Sequence, residues 1–219
     1  MPELCFDCSF VQKQLSMNIA ILGAGRVGAA LASNWAQKGH TIRIGARDKQ
    51  SFRSPELLKN AGTSLHSIRE AVQASDTVLI ATPPTAVFSI IEQLGDVSGK
   101  VIIDATNNVQ SNIDPYATVY HCLTDRTRAE VVKCFNSTGF ENMLNPIYPD
   151  GPLDMFMAGD SSRAKDIAKQ LALDCGFGSC IDFGLSNKVS LLEQFALCWI
   201  NLAIQQGLGR KTGFRLSYR

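Results

Sequence analysis

Apolar positions along this chain fall into two rhythms. Short, mostly apolar runs at 18–22, 41–44, 76–81, 101–105, 131–135, 155–158 and 179–182 read as buried strands. Between them apolar residues recur at helical spacing. Val27, Leu31 and Trp35 do so in 27–38, and Val87, Ile90, Ile91 and Leu94 in 85–94. Further helices are predicted at 67–74, 161–174 and 190–206, and Ser54-Pro55-Glu56 resembles a helix start, with proline in the first turn. Continuous apolar strands alternating with helices predict an α/β fold, a doubly wound, mostly parallel sheet covered on both faces with a long C-terminal helix.

The first strand ends in Gly23-Ala24-Gly25-Arg26-Val27-Gly28, three glycines spaced G-x-G-x-x-G, and a helix follows at once. Strand, glycine turn and helix in that order mark a Rossmann-type dinucleotide-binding unit. Gly23 allows the tight turn, Gly25 lets the backbone approach a pyrophosphate, and Gly28 lets helix and strand pack closely. The free N–H groups of Arg26 and Val27 at the helix start then face the anion.

The end of the second strand selects the cofactor. An acid there would accept from the ribose hydroxyls of NAD, and an arginine favours the 2′-phosphate of NADP. Gly45 is the first residue past 41–44, Arg47 follows, and Asp48 stands beside it. Arg47 favours NADP, with NAD as the alternative through Asp48.

Composition narrows the classes. A formal net charge of +1 gives no electrostatic reason to expect nucleic acid or an anionic membrane, and the longest apolar stretch, 195–202, is interrupted by Asn201. Residues 1–16 do not read as a secretory signal and are expected to be an N-terminal extension. Seven scattered cysteines suit a reducing, cytoplasmic setting, and Cys5-x-x-Cys8 lacks a second ligand pair, so no metal site is expected. The expected division is 1–16 extension, 17–185 nucleotide-binding domain, and 186–219 helix and basic tail. That last helix, with Phe195 and Trp199, is expected to seal the core or a homodimer, or to line the acceptor site.

The sequence holds no G-x-S-x-G elbow and no H-E-x-x-H. Hydride transfer needs neither, because the nicotinamide supplies the chemistry and the protein supplies orientation. Thr82-Pro83, Thr106-Asn107 and Asn136-Ser137-Thr138 all follow predicted strands, where open parallel sheets bind ligands. No catalytic side chain is assigned. The alternative is a module that binds NAD(P) for sensing or regulation without turnover.

Several motifs together resemble the NADPH-dependent deazaflavin (coenzyme F420) reductase family. They are Gly23 to Gly28, Gly39-His40, Gly45-Ala46-Arg47, the run from Gly99 to Asn107, Val132 to Ser137, Ala158-Gly159-Asp160, Gly176-Phe177, and Leu192-Glu193 with Trp199-Ile200. The resemblance implies that the glycines hold the pyrophosphate, Arg47 binds the 2′-phosphate, and Thr82-Pro83 and Asn107 flank the nicotinamide. It also implies a small-molecule electron acceptor, F420 or a flavin, with Asn136 beside it. Three positions depart from the family pattern: Ala46 for Ser or Thr, Asp48 for a basic residue, and Asn108 for proline.

Overall fold

The computed structural model describes residues 16–109 and 113–219. The Cys5-x-x-Cys8 motif and the extension up to residue 15 lie outside the described residues. Eight strands form one sheet in the order β10-β9-β6-β5-β4-β1-β2-β3. They are β1 (Asn18–Leu22), β2 (Thr41–Ala46), β3 (Thr63–Ser67), β4 (Thr77–Ile80), β5 (Val101–Asp104), β6 (Glu130–Cys134), β9 (Asp154–Ala158) and β10 (Ser179–Asp182). β7 (Ile147–Tyr148) and β8 (Gly151–Pro152) make a separate small hairpin. All sheet pairings are parallel except β6 with β9.

Side chains alternate across the strands, so each strand feeds two cores. Ile19, Ile21, Leu79 and Ile103 face α1 (Arg26–Gln37) and α6 (Ser162–Asp174). Ala20, Leu22, Val78 and Ile102 face α2 (Ile68–Gln73), α3 (Val87–Leu94), α4 (Val119–Arg126) and α7 (Val189–Ile200). A short α5 (Phe140–Leu144) packs on α1. Among the described residues, no helix is long and apolar enough to cross a membrane.

The predicted elements are present with small shifts at their ends, and besides the β7–β8 hairpin three elements escape the apolar pattern. β3 reads Thr-Ser-Leu-His-Ser, an edge strand with Leu65 as its single apolar residue and no fully buried position. α4 and α5 are short, and α4 starts on the Thr118 side chain, which accepts from the His121 N–H at 3.4 Å. The last helix ends at Ile200 and widens into a π-helical turn over Asn201–Gln205. The basic tail is packed rather than free. The Thr212 carbonyl accepts from Asn142 Nδ2 at 2.8 Å and from Trp199 Nε1 at 2.5 Å, and the Phe214 ring lies 4.5 Å from Phe195.

Candidate nucleotide-binding site

β1 has β2 on one side and β4 on the other, so the loops leaving β1 and β4 part at the C-terminal edge of the sheet. That divergence opens a crevice in doubly wound sheets. Gly23 turns there with φ +102°, and a Cβ on it would stand 2.5 Å from the Ala81 carbonyl oxygen. Gly28, inside the first turn of α1, could not carry a Cβ either, since it would lie 1.9 Å from Gly23 O. Gly25 differs: its φ is −72° and an added Cβ would meet no atom within 4 Å. Gly23 and Gly28 are therefore small for packing, and Gly25 is small beside open space.

That space is a cavity of about 330 Å³ bordered by Gly23, Gly25, Arg47, Arg53, Thr82 and Pro83, with an apolar floor that includes Ile68 and Ile90. β2 is longer than the apolar run suggests and ends at Ala46, so Arg47, not Gly45, is the first residue past it. Gly45 pairs with Leu22, and a Cβ there would lie 2.5 Å from Leu22 Cδ2 and 3.2 Å from Ile68 Cα. The close crossing of α2 thus forbids a side chain at that position. Asp48 lines the cavity, and its Oδ1 accepts from the Gln50 N–H at 2.9 Å in a local turn that uses one of its two oxygens. Arg53 is a second guanidinium on the same rim that sequence reasoning missed; it lies in a loop with no motif to single it out. Ser54 Oγ ties this loop to the glycine turn by donating to Ala24 O at 3.0 Å.

Arg26 and Val27 do not line the cavity. The Arg26 guanidinium stands 5.6 Å from the Phe140 ring centroid, and Val27 packs against the core. Arg210 sits over the other side of that patch, 5.7 Å from Phe140 and 5.6 Å from Trp199, and pairs with Glu141. Burial pushes the Glu141 carboxyl up, but the Arg210 hydrogen bond and charge outweigh it and hold the group below the ordinary carboxylate range.

Asn107 and Asn136 also stand apart from the cavity, at the ends of β5 and β6. Strand spacing puts β6 about 10 Å beyond β4. The two side chains pair: Asn107 Nδ2 donates to the Asn136 carbonyl at 2.7 Å, and Asn136 Nδ2 donates to Asn107 Oδ1 at 2.9 Å. Asn136 follows Phe135, whose φ of +62° is the left-handed region for a bulky buried residue. Backbone strain of that kind concentrates at ligand sites. Among the described residues, three buried side-chain oxygens along this edge have no partner: Thr82 Oγ1, Asn108 Oδ1 and Asn136 Oδ1. A buried acceptor without a donor costs about 1–3 kcal/mol.

Under this edge lies an ion cluster that the sequence did not announce. Lys133 Nζ, with no exposed side-chain surface, donates to Asp104 Oδ2 at 2.9 Å, to Glu193 Oε1 at 2.5 Å and, more weakly, to Thr106 Oγ1 at 3.5 Å. Its strand position and apolar neighbours Val131 and Val132 gave no signal of a buried cation. Phe195 and Trp199, for which the core, a homodimer seam and the acceptor wall were all open, pack in the interior. Phe195 stacks with Phe156, Phe183 and Phe214, and Trp199 is held by the tail.

The crevice at a switch point, the open face of Gly25 and the two arginines on its rim give a Rossmann-type fold with a candidate dinucleotide-binding site. Residues 18–108 match the family described as NADP oxidoreductase, coenzyme F420-dependent. A candidate F420-dependent NADP reductase from Arthrobacter sp. FB24 shares the fold, with a TM-score of 0.81, 23% identity, 93% of this chain covered and 100% of that one. A reductive aminase from Aspergillus terreus, solved with NADPH4, shares it at a TM-score of 0.64 and 18% identity, covering 88% of this chain and 63% of that one. Among curated proteins, a glycerol-3-phosphate dehydrogenase [NAD(P)+] of Thermoanaerobacter sp. strain X514 is 24% identical over 176 residues, 74% of this chain. The chain spans 46% of that relative's length, about half.

Proposed function

We propose that the protein transfers hydride between NADP(H) and a small-molecule acceptor with a flat ring system, a deazaflavin such as F420 or a flavin. The adenosine half would lie in the cavity, with its 2′-phosphate on Arg47 and Arg53. The pyrophosphate would face Gly23 and Gly25 at the start of α1, and the nicotinamide half would run along the sheet edge past Thr82 and Pro83 to Asn107 and Asn136. When bound, the nicotinamide supplies the hydride. The apolar floor of Ile68 and Ile90 would lie against the adenosine half.

NADP is favoured over NAD because two guanidinium groups line the ribose end while the neighbouring acid is engaged in its own turn. The observation that carries the ring acceptor is the state of Lys133. It is the buried cation at this edge, and its ammonium protons are already directed to Asp104, Glu193 and Thr106. A simple ketone needs a proton donor as hydride arrives, whereas a flavin-type ring takes hydride into its own conjugated system.

Two further readings accompany this one. A reducing, cytoplasmic setting is proposed from the seven cysteines scattered along the sequence. Leu191, Leu197, Ile204 and Leu208 are exposed along the last helix and its end, which supports a homodimer.

The test follows NADPH oxidation at its absorbance band with F420, FMN, FAD, quinones and ferric chelates as acceptors. Turnover is expected with the ring acceptors. NADPH binding with zero turnover against every acceptor would replace the enzyme by a nucleotide-sensing module.

A further inference from the structure

Three consecutive residues after β5 are each fastened by a different partner. The Thr106 N–H donates to Asp104 Oδ1 at 2.9 Å, the Asn107 side chain is paired with Asn136, and the Asn108 N–H donates to Glu193 Oε2 at 3.0 Å. Glu193 belongs to α7, 85 residues away. It is 8% exposed, and its other oxygen holds Lys133, which in turn holds Asp104. The residue before it, Leu192, offers its carbonyl to Asn136 Nδ2 at 3.5 Å. One turn of α7 therefore touches both strands of the amide pair, and Glu193 closes a ring of contacts from α7 through β6 to β5 and back to the loop.

Asn108 gives this ring its meaning. The bond to Glu193 is made by the backbone N–H, which a proline cannot supply. A proline would stiffen the loop through its own ring; here the loop is held from outside by a carboxylate.

We propose that Glu193 is a positioning residue for the nicotinamide end of the site: it sets the Asn107–Asn136 amide pair by holding the Asn108 N–H on one oxygen and the Lys133–Asp104 pair on the other. This rests on the reading that NADPH reaches that pair with its nicotinamide half. Glu193 touches no ligand itself. Its removal loosens the loop at Asn108 and leaves the adenosine cavity, built from β1, β2 and β4, as it was. Lys133 keeps Asp104 and Thr106, so the buried ammonium is not stranded.

The experiment measures two affinities by calorimetry on the full chain, for NADPH and for 2′,5′-ADP, which carries the 2′-phosphate but no nicotinamide. Glu193→Ala is expected to weaken NADPH about tenfold and leave 2′,5′-ADP unchanged. Equal weakening of both ligands would show a general structural role and overturn the proposal, as would no change in either. Should the alanine variant fail to fold, Glu193→Gln keeps the volume and one of the two acceptor oxygens, and a loss of about threefold for NADPH alone is expected. No loss in a folded glutamine variant would overturn it. A wild type that binds NADPH no better than 2′,5′-ADP would remove the nicotinamide reading on which the proposal stands, and the proposal with it.

Discussion

At the ends of β1 and β2 the crevice is made of backbone: glycines with no room for, or no obstacle to, a side chain, and a rim closed by one serine hydroxyl on Ala24 O. At the ends of β5 and β6 it is made of side chains, with Asn107 on Asn136 at a separation of 29 residues and Asn108 on Glu193 at 85. The first half can be built as soon as a strand, a turn and a helix form. The second requires four elements to arrive together. A fold can thus carry a glycine turn built from residues close in sequence beside a polar edge whose geometry depends on a distant helix. Substitutions in the two halves should separate.

The sharpest break lies within the glycines. Gly28→Ala places a methyl group 1.9 Å from Gly23 O, so the turn must give way, at a cost of about 3 kcal/mol. Thermal denaturation should show a strong loss of stability or no folded protein. Gly25→Val meets open space on a backbone any residue can adopt, so the melting temperature should hold while NADPH binding disappears from calorimetry. A Gly25→Val protein that still bound NADPH would reduce the whole motif to a structural turn.

Next in size are the rim arginines. Arg47→Ala and Arg53→Ala should each weaken NADPH by about 1.5–3 kcal/mol, the worth of a hydrogen bond to a charged group, and leave NADH nearly unchanged. Equal losses for both cofactors would place the guanidinium groups on a shared part of the molecule. At the other end, Asn107→Ala removes one side of an amide pair, and about 1 kcal/mol is expected. Acceptor reduction should slow more than NADPH binding weakens, in steady-state rates against direct titration.

These two halves also differ in how far the sequence revealed them. The turn from Gly23 to Gly28 is legible because each glycine answers a local constraint, and the apolar runs place Thr82, Asn107 and Asn136 after strands. Arg53 was invisible: it has no periodic neighbours and reaches the cavity because residues 47–54 fold back on Ala24. Gly45 was misplaced outside β2, since a glycine ending an apolar run reads as a turn, whereas here it stays in the strand to admit α2. Lys133 interrupts the apolar run of β6 and looks like an exposed position. Only the approach of Asp104 and Glu193 from other elements makes it a buried one. Trp199 and Phe195 looked available because aromatic content shows no direction, and the tail that covers them carries no periodic signal.

The smallest effect concerns the helix beneath the cradle. α2 begins with a capping box in which Glu70 Oε2 accepts from the Ser67 N–H at 2.8 Å and Ser67 Oγ accepts from the Glu70 N–H at 3.3 Å. Lys49 Nζ, from the loop that carries Arg47, reaches the same carboxylate at 3.0 Å. The Ser67 backbone bond and then Lys49 lower the Glu70 pKa to about 2. A carboxyl depressed in the folded state stabilises it fully above its unfolded value of roughly 4.3, and that contribution fades as pH falls toward 2. Glu70→Gln should therefore be less stable than wild type by a constant, small margin between about pH 5 and 7, and the two melting curves should converge between about pH 4 and 2. NADPH binding near neutral pH should not change, because Glu70 does not line the cavity. A margin that persisted unchanged at pH 2 would show that the carboxylate's charge is not what separates the two proteins.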